Sequence, residues 1–308
     1  TCAPDAHDEL RLALRALCAE FPADYHRKHG AAETYPTEFI DALTSAGWLA
    51  AMIPEEFGGS GLGLTEASII MEEINRNGGN AGHCHGQMYN MGTLLRHGSP
   101  EQKGLSVFIV DLKDALGRGM EIKLINNMVG HETNEVFFDD LEIPEENLIG
   151  EEGKGFRYIL DGLNAERTLI AAECIGDGYW FIDRAVTYAG ERVVFDRPIG
   201  QNQGVQFPIA RAFVNVEAAN LMRFEACRRY DAGEECGAQA NMAKLLAADA
   251  SWQAANECLQ AHGGFGFAQE YDIERKFRET RLYQVAPIST NLILSYVAEH
   301  ILGMPRSF

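Results

Sequence analysis

Residues 163–172 read LNAERTLIAA, and they open a long run of apolar residues at helical spacing. The run continues with an apolar residue at about every third or fourth position: Leu169, Ile170, Cys174, Ile175, Tyr179 and Trp180. Glu166 and Arg167 stand side by side at its head. Two interpretations of this pair are open. Glu166 is either a first-turn charge on a solvated helix, favoured by the helix dipole by at most about 1 kcal/mol, or a carboxylate that does chemistry.

Helical patterning extends from this stretch in both directions. Segments 155–191, 204–231, 238–260 and 288–302 predict four long helices with short connections, which is typical of an antiparallel bundle. The first third of the chain is also helical in pattern. Between the two helical parts, GLSVFIVDL (104–112), MEIKLINNM (120–128) and EVFFDDLEIP (135–144) predict three short strands.

These patterns predict a mainly α protein with a central β domain. The N-terminal helical domain spans residues 1–103, the β domain spans 104–150, and a C-terminal four-helix bundle spans 151–308. Three strands make a marginal sheet. The β domain is therefore smaller than a stable one should be.

Composition excludes several classes of partner. The 308 residues carry a formal net charge of −19 at pH 7, which argues against a nucleic-acid partner because such binding needs a basic face. No apolar run approaches membrane-spanning length, and the first residues lack the pattern of a signal peptide. Seven scattered cysteines suit a reducing compartment. We therefore expect a cytoplasmic protein that does not bind membranes.

The HCHG stretch at residues 83–86 offers two histidines and a cysteine. Adjacent residues rarely converge on one tetrahedral ion, and no Cys-x-x-Cys pair accompanies them. No metal site is predicted.

Three stretches of the last half, taken together, resemble the acyl-CoA dehydrogenase family. They are YAGERVVFDRPIGQNQ (188–203), LQAHGGFGF (259–267) and ERKFRETRLYQ (274–284). Earlier stretches also have counterparts there, among them GWLAAMIPEEFGGSGLG and EVFFDDLEIPEENLIGEEGKGF. Each motif is weak alone, but their order and spacing span nearly the whole chain. The resemblance implies the family's fold, an N-terminal helical domain, a β domain and a C-terminal bundle that forms the oligomer.

The resemblance also implies FAD, bound across a subunit interface in a dimer of dimers. The matching cofactor-binding positions are Arg192, Phe195, Gln203, Gln260, Gly263, Gly264, Ser289 and Asn291. In the family the arginine faces the pyrophosphate of the neighbouring subunit's FAD, a task that suits a guanidinium. Asp196 departs from the family pattern, which has glycine at that position.

The position of the catalytic base also departs from the common pattern. Most members carry the base in a Tyr-Glu-Gly-Thr stretch, but this chain has YQVAPISTN (283–291), which places Pro287 where the glutamate would be. A minority, including isovaleryl-CoA and long-chain enzymes, carry it in a Glu-Arg-Leu segment that Glu166 and Arg167 match. The resemblance therefore implies that Glu166 is the base, with Leu163, Asn164 and Arg167 as substrate-binding residues.

A second departure is an absence. The chain passes directly from HGSPEQK (97–103) to GLSVFIVDL, whereas similar sequences have several dozen more residues there, including stretches that bracket the flavin. We expect either a genuine deletion at the Lys103–Gly104 junction or residues left out of this sequence there, in agreement with the small β domain.

The resemblance implies FAD-dependent oxidation of an acyl-CoA to the trans-2-enoyl-CoA, with electrons passed to an electron-transfer flavoprotein. Two alternatives remain open. One is a flavin oxidase or monooxygenase on the same fold, and the other is a non-catalytic homologue that binds acyl-CoA.

Overall fold

A computed structural model describes residues 7–32, 34–86, 88, 106–129 and 133–306. Its α-helices, in chain order, are α1 Asp8–Ala19, α2 Ala23–Ala32, α3 Thr37–Ser45, α4 Leu64–Arg76, α5 Leu112–Ala115, α6 Gly155–Glu191, α7 Gln203–Asp231, α8 Gly237–His262, α9 Ile273–Arg281 and α10 Thr290–Tyr296. The mainly α class is confirmed. The predicted domain boundary at Lys103–Gly104 lies outside the described residues, and the boundaries as a whole remain predictions.

Helices α6, α7 and α8 form the centre of the bundle. A Cβ built on Gly237, at the start of α8, would lie 3.7 Å from Asn164 Oδ1, and near their far ends Tyr188 stacks on His262 with ring centroids 4.1 Å apart. Helices α6 and α8 therefore run in the same direction. The hydroxyl of Tyr179 on α6 donates to Glu217 on α7 at 2.6 Å. The core between the helices is rich in alanine, which lets their backbones approach closely.

The N-terminal helices share a core with this bundle. Buried residues of α1, α3 and α4 pack together with Ala165, Leu169 and Ala172 of α6. Fully buried Arg223 of α7 reaches Glu72 of α4 with 2.9 Å between Nη2 and Oε2. Buried charges are tolerated only when they are paired, so this contact fixes α4 against the bundle.

The β region consists of short antiparallel pairs. Its strands are β1 Val107–Phe108, β2 Met120–Ile125, β3 Thr133–Phe138 and β4 Leu148–Ile149, paired β1 with β4 and β2 with β3. Every residue of β3 is exposed. The expectation of a small, marginal sheet agrees with these two ribbons.

Two details of the sequence interpretation need correction. The stretch 104–112 is not one strand, because Asp111 accepts hydrogen bonds from the amides of Lys113 and Asp114 and caps the short helix α5. The segment 288–302 is not one regular helix, since α10 widens into a π-helical turn at Val297–Ile301. The predicted helical segment 155–191 is confirmed as α6, which places Glu166 eleven residues inside the helix and not in its first turn. Within the described ranges, no helix is both long and apolar enough to cross a membrane.

Candidate active site

Glu166 lies inside the protein and not at a solvated helix end. Its residue is 7% exposed, and the neighbours that follow it on α6, Leu169 and Ile170, are 0% and 3% exposed. Because α6 starts at Gly155, Glu166 is in the helix interior, out of reach of the N-terminal dipole, which acts only over the first turn. The first-turn and surface interpretations of this carboxylate are therefore wrong.

Arg167 turns toward the start of α8. Its Nη1 donates to Asn164 Oδ1 at 3.2 Å. Burial lowers the pKa of the guanidinium, whereas Glu166 and, further away, Tyr296 raise it. Of the three predicted substrate-binding residues, Asn164 and Arg167 thus touch each other, and Leu163 is half-buried one turn away from Arg167.

A second carboxylate follows on the same helix face, and the sequence interpretation missed it. Glu173 is fully buried, seven residues or two turns after Glu166. Its Oε1 lies 3.1 Å from His85 Nδ1, and its Oε2 accepts a hydrogen bond from the hydroxyl of Tyr283 at 3.2 Å. Glutamate at a position of the apolar face was the available signal, since an unpaired charge is rarely placed there.

One turn further along α6, Asp177 pairs with Lys276 of α9. Both side chains are fully buried, with 2.5 Å between Nζ and Oδ1. Burial raises the pKa of Asp177 to about 6, against the lowering influence of Lys276. The pair holds α9 against the middle of α6.

The predicted cofactor residues near the end of α6 lie on the surface. Arg192 ends the helix, and within the described residues no carboxylate approaches its guanidinium within 4.0 Å. Gln203 and Gln260 are exposed. Gly263 has φ +56°, and neither it nor Gly264 has an atom within 4 Å of the place where a Cβ would stand.

A tight hairpin follows Arg192. It pairs β5 Val193–Val194 with β6 Arg197–Pro198, and its two connecting residues, Phe195 and Asp196, have φ values of +52° and +61°. Two residues with positive φ make the type I′ turn that matches strand twist, and aspartate tolerates this region better than most residues. Asp196 therefore keeps the backbone conformation of the glycine it replaces, and Phe195 is 93% exposed.

Ser289 and Asn291 lie at the opposite end of α8. Fully buried Lys244 of α8 donates through Nζ to the carbonyls of Tyr283 at 2.6 Å and Ile288 at 2.7 Å. This contact fixes the segment that leads to Ser289. Lys244 is eighteen residues from His262, or ~27 Å along the helix axis. The predicted cofactor residues thus form two groups near opposite ends of helix α8.

Ser289 also has a local task that the sequence interpretation did not foresee. Its Oγ accepts a hydrogen bond from the amide of Leu292 at 3.3 Å and caps α10. Asn291 is exposed on the first turn of that helix.

The HCHG side chains do not converge. His83 contacts the carbonyl of Asn80, His85 faces Glu173, and Cys84 is buried. Among the residues that the structure describes, no group of three His, Cys, Asp or Glu side chains has the arrangement of a metal site.

Comparison with known proteins gives two family matches. The family model described as "Acyl-CoA dehydrogenase, N-terminal domain" matches residues 4–105, and "Acyl-CoA dehydrogenase, C-terminal domain" matches residues 153–302. The two ranges contain both helical parts and leave the β region between them.

Individual proteins agree with these matches. Acyl-CoA dehydrogenase FadE12 of Mycobacterium tuberculosis is 29% identical over 374 alignment positions, which cover 97% of this chain and 96% of that protein. Cyclohex-1-ene-1-carbonyl-CoA dehydrogenase of Syntrophus aciditrophicus is 35% identical over 72% of this chain and 54% of its own length. The structure of butyryl-CoA dehydrogenase from Megasphaera elsdenii superposes with a TM-score of 0.89 at 20% identity, covering 98% of this chain and 100% of that one.

The FadE12 alignment is longer than this chain. It runs over 374 positions, so at least 66 of them face none of the 308 residues present here. This agrees with the expectation that residues are absent relative to similar proteins.

Proposed function

Because this chain belongs to the acyl-CoA dehydrogenase family, we propose that it oxidises an acyl-CoA thioester to the trans-2-enoyl-CoA, with Glu166 as the base that removes the α-proton. The observation that carries the proposal is the burial of Glu166 on α6 beside apolar residues. The alternative position is closed, since Pro287 has no ionisable group. The acyl group is short, medium or branched.

The chemistry divides between the protein and its cofactor. FAD supplies the hydride acceptor for the β-carbon when it is bound. Glu166 takes the α-proton on a carboxylate oxygen, and its apolar neighbours exclude water from that oxygen. Asn164 and Arg167 are hydrogen-bonded to each other beside Glu166. There they line the pocket for the acyl group and orient the thioester.

The residues at the far end of α6 fit the pyrophosphate of FAD. Arg192 is exposed and, within the described part of the chain, without a carboxylate within 4.0 Å, so its charge is available to an anion. Gly263 and Gly264 leave their backbone open, which lets a ligand approach closely. Gln203 and Gln260 offer exposed amides beside them. Phe195 adds an exposed aromatic ring at the hairpin tip.

One FAD joins two chains in this proposal. Arg192 is twenty-six residues, or ~39 Å of helix, from Glu166, so a flavin beside Glu166 takes its pyrophosphate contacts from another copy. Ser289 and Asn291 contribute from the chain that supplies Glu166. The Arg192 and Gln260–Gly264 groups belong to the same chain in this proposal, because Tyr188 and His262, which lie next to them in sequence, stack on each other.

An apolar surface on the bundle supports such an oligomer. A groove of about 630 Å³ between α6 and α7 is lined by Val186, Ile209 and Phe213 among others. Val186 is 56% exposed and Phe213 44%. Monomers rarely leave contiguous apolar patches uncovered, so we propose that a second copy covers this face within a dimer of dimers.

The remaining parts of the proposal follow from the family. An electron-transfer flavoprotein takes the electrons, and the protein works in the cytoplasm. The large negative charge and the absence of a membrane-spanning helix among the described residues agree with this assignment.

The test replaces the base with its amide. Glu166→Gln should keep FAD and acyl-CoA binding but reduce its flavin 10²–10⁴-fold more slowly, the usual contribution of a positioned base. Flavin reduction by a panel of acyl-CoA thioesters, followed by anaerobic stopped-flow absorbance, measures this. Flavin reduction at close to the wild-type rate would show that Glu166 is not the base.

A second variant provides a gain of function. Adding Pro287→Glu to Glu166→Gln restores a carboxylate and a backbone N–H at the position common in the family, and should recover part of the rate.

The same protein preparations also distinguish the two alternative functions. Fast reaction of the reduced flavin with oxygen would favour an oxidase or monooxygenase, and the absence of flavin from freshly purified protein would favour a non-catalytic homologue.

A further inference from the structure

The interior behind Glu166 contains a charged cluster that the proton transfer itself does not use. Glu173 is fully buried and lies two turns along α6, so it shares a face with Glu166. A buried carboxylate is retained only with partners that satisfy it. Its partners come from three other parts of the chain.

The Oε2 side of Glu173 is satisfied by neutral groups. The Tyr283 hydroxyl donates to it at 3.2 Å, and burial raises the pKa of that hydroxyl well above its ordinary value, so the proton stays on the tyrosine. Asn75 of α4 donates to the Tyr283 hydroxyl at 3.0 Å and to the carbonyl of Glu173 at 3.2 Å. This side of the carboxylate has no counter-charge.

The Oε1 side faces an imidazole. His85 Nδ1 lies 3.1 Å from it, and the His85 side chain is 17% exposed. Burial lowers the pKa of His85, but the carboxylates of Glu173 and then Glu166 raise it, and the net pKa lies above the ordinary value. Tyr283 and Cys84, two further groups on which Glu173 acts, have raised pKa values. The 3.1 Å contact with Glu173 and the raised pKa of His85 both favour the imidazolium form, on which Glu166 also acts.

We propose that His85, held in place by Glu173, is a positioning residue of the reaction that keeps the buried Glu166 carboxylate in its charged, proton-accepting form. The inference rests on the proposed role of Glu166 as the base. An apolar pocket favours the neutral acid, and a nearby cation opposes that tendency. His85 acts on the base and not on substrate or cofactor.

The role has a pH signature that a packing role lacks. In His85→Gln the base loses one of the two cations that act on it, because Arg167 remains beside it, so flavin reduction should need a higher pH. We expect the kinetic pKa to rise by about 1–3 units, the usual influence of an opposite charge nearby. The rate should fall tenfold per pH unit below the new midpoint and be retained above it.

Glu173→Gln tests the same cluster from the other side. It is nearly isosteric, and it leaves the buried imidazole without its closest carboxylate, so His85 should lose its proton and the pH profile should shift in the same direction. The double variant should shift no further than either single one. His26→Gln, which removes another histidine away from Glu166, is the matched control and should leave the profile where the wild-type protein has it.

A measurement on the wild-type protein needs no variant to fold. In protein labelled with ¹⁵N-histidine, the His85 ring should stay doubly protonated above pH ~6.5, the usual midpoint, and should become neutral there in Glu173→Gln. A uniform loss of rate at every pH in His85→Gln, or a neutral His85 ring in the wild-type protein at pH 6, would overturn the inference.

The two proposals fail in different ways. A Glu166→Gln variant that reduces its flavin normally would remove the base itself. An inactive Glu166→Gln beside an unshifted His85→Gln profile would leave the base and remove only the role of His85.

Discussion

Two stretches of the helix α6 differ in how their polar groups are satisfied. Between residues 166 and 177 the helix is buried, and Glu173 and Asp177 find their partners within the same chain. Between Tyr188 and Arg192 the helix reaches the surface. The side chains of Arg192, Gln203 and Gln260 are exposed to solvent, and the Gly263–Gly264 turn leaves its backbone open.

The difference separates two tasks. Proton transfer needs a dry, rigid surrounding, which one chain can build by folding. Binding a large cofactor needs hydrogen-bond donors on both sides of it. Because Glu166 and Arg192 are ~39 Å apart along the helix, one chain does not supply both residues to the same FAD. A complete site therefore requires a second copy.

The largest expected effect comes from mixing a variant that lacks the base with a variant that binds FAD weakly. Glu166→Gln lacks the base, and Arg192→Ala lacks a charge-assisted contact worth about 1.5–3 kcal/mol, which predicts FAD binding on the order of 10–100-fold weaker. In a hetero-oligomer, one of every two shared sites combines Glu166 from one chain with Arg192 from the other. Co-expressed with different affinity tags and purified through both, the mixed protein should recover activity in about half of its sites, 10²-fold or more above Glu166→Gln alone.

The control is the double variant co-expressed with wild-type chains, in which each shared site lacks one of the two groups. Assayed without added FAD, its hetero-oligomers should be nearly inactive even though the mutation count is the same, because the one site that keeps the base has lost the arginine contact to FAD. Equal activity in the two mixtures would mean that Glu166 and Arg192 of one chain serve the same site. The buried and the exposed stretch of α6 would then not belong to two different sites.

Sequence patterns carried most of the fold. The helical segments, the small β region and the family resemblance all depend on periodicity and on motif order, which are local or repeated signals. Helix ends were less accurate where local geometry decides them: the predicted helix over 288–302 begins at Thr290 and widens into a π-helical turn at Val297–Ile301. Asp111 ended a predicted strand through a cap that only its local geometry reveals.

The site residues show the same difference between local signals, which the sequence makes visible, and long-range contacts, which it does not. Glu166, Arg192 and the Gly263–Gly264 turn were predicted from motifs that occupy a few consecutive residues, and their roles remain predictions. The pairing of His85 with Glu173 was not found, because eighty-eight positions separate the two residues and nothing in either neighbourhood specifies the other. Charged residues inside an apolar periodicity are the one general signal of such buried pairs.

A half-buried histidine outside α6 should make the protein sensitive to acid. His26 of α2 packs near Arg275, and burial first and Arg275 second lower its pKa to about 4. Below the unfolded pKa of about 6.5 the unfolded chain takes up a proton that the folded chain does not. Stability due to His26 is therefore complete above pH 6.5 and is lost as pH falls toward 4, by up to about 3 kcal/mol.

Chemical denaturation of the wild-type protein and of His26→Gln at several pH values measures this loss. Asp177 has a raised pKa of about 6 and acts with the opposite sign in the same range, so only the difference between the two proteins isolates the histidine. That difference should change by a few kcal/mol between pH 6.5 and 4. Parallel curves for the two proteins would show that His26 is not buried in its neutral form.

The smallest expected effect concerns Ser289, which the family resemblance assigns to FAD and the structure uses as a helix cap. Loss of an N-cap costs about 1 kcal/mol, so Ser289→Ala should lower the free energy of unfolding by that amount. Ser289→Asn keeps a cap of equal quality but removes the hydroxyl, and should restore stability. If the hydroxyl also contacts FAD, flavin retention will fall in both variants while stability falls only in alanine. If flavin retention instead changes in parallel with stability, Ser289 serves only as the N-cap of α10.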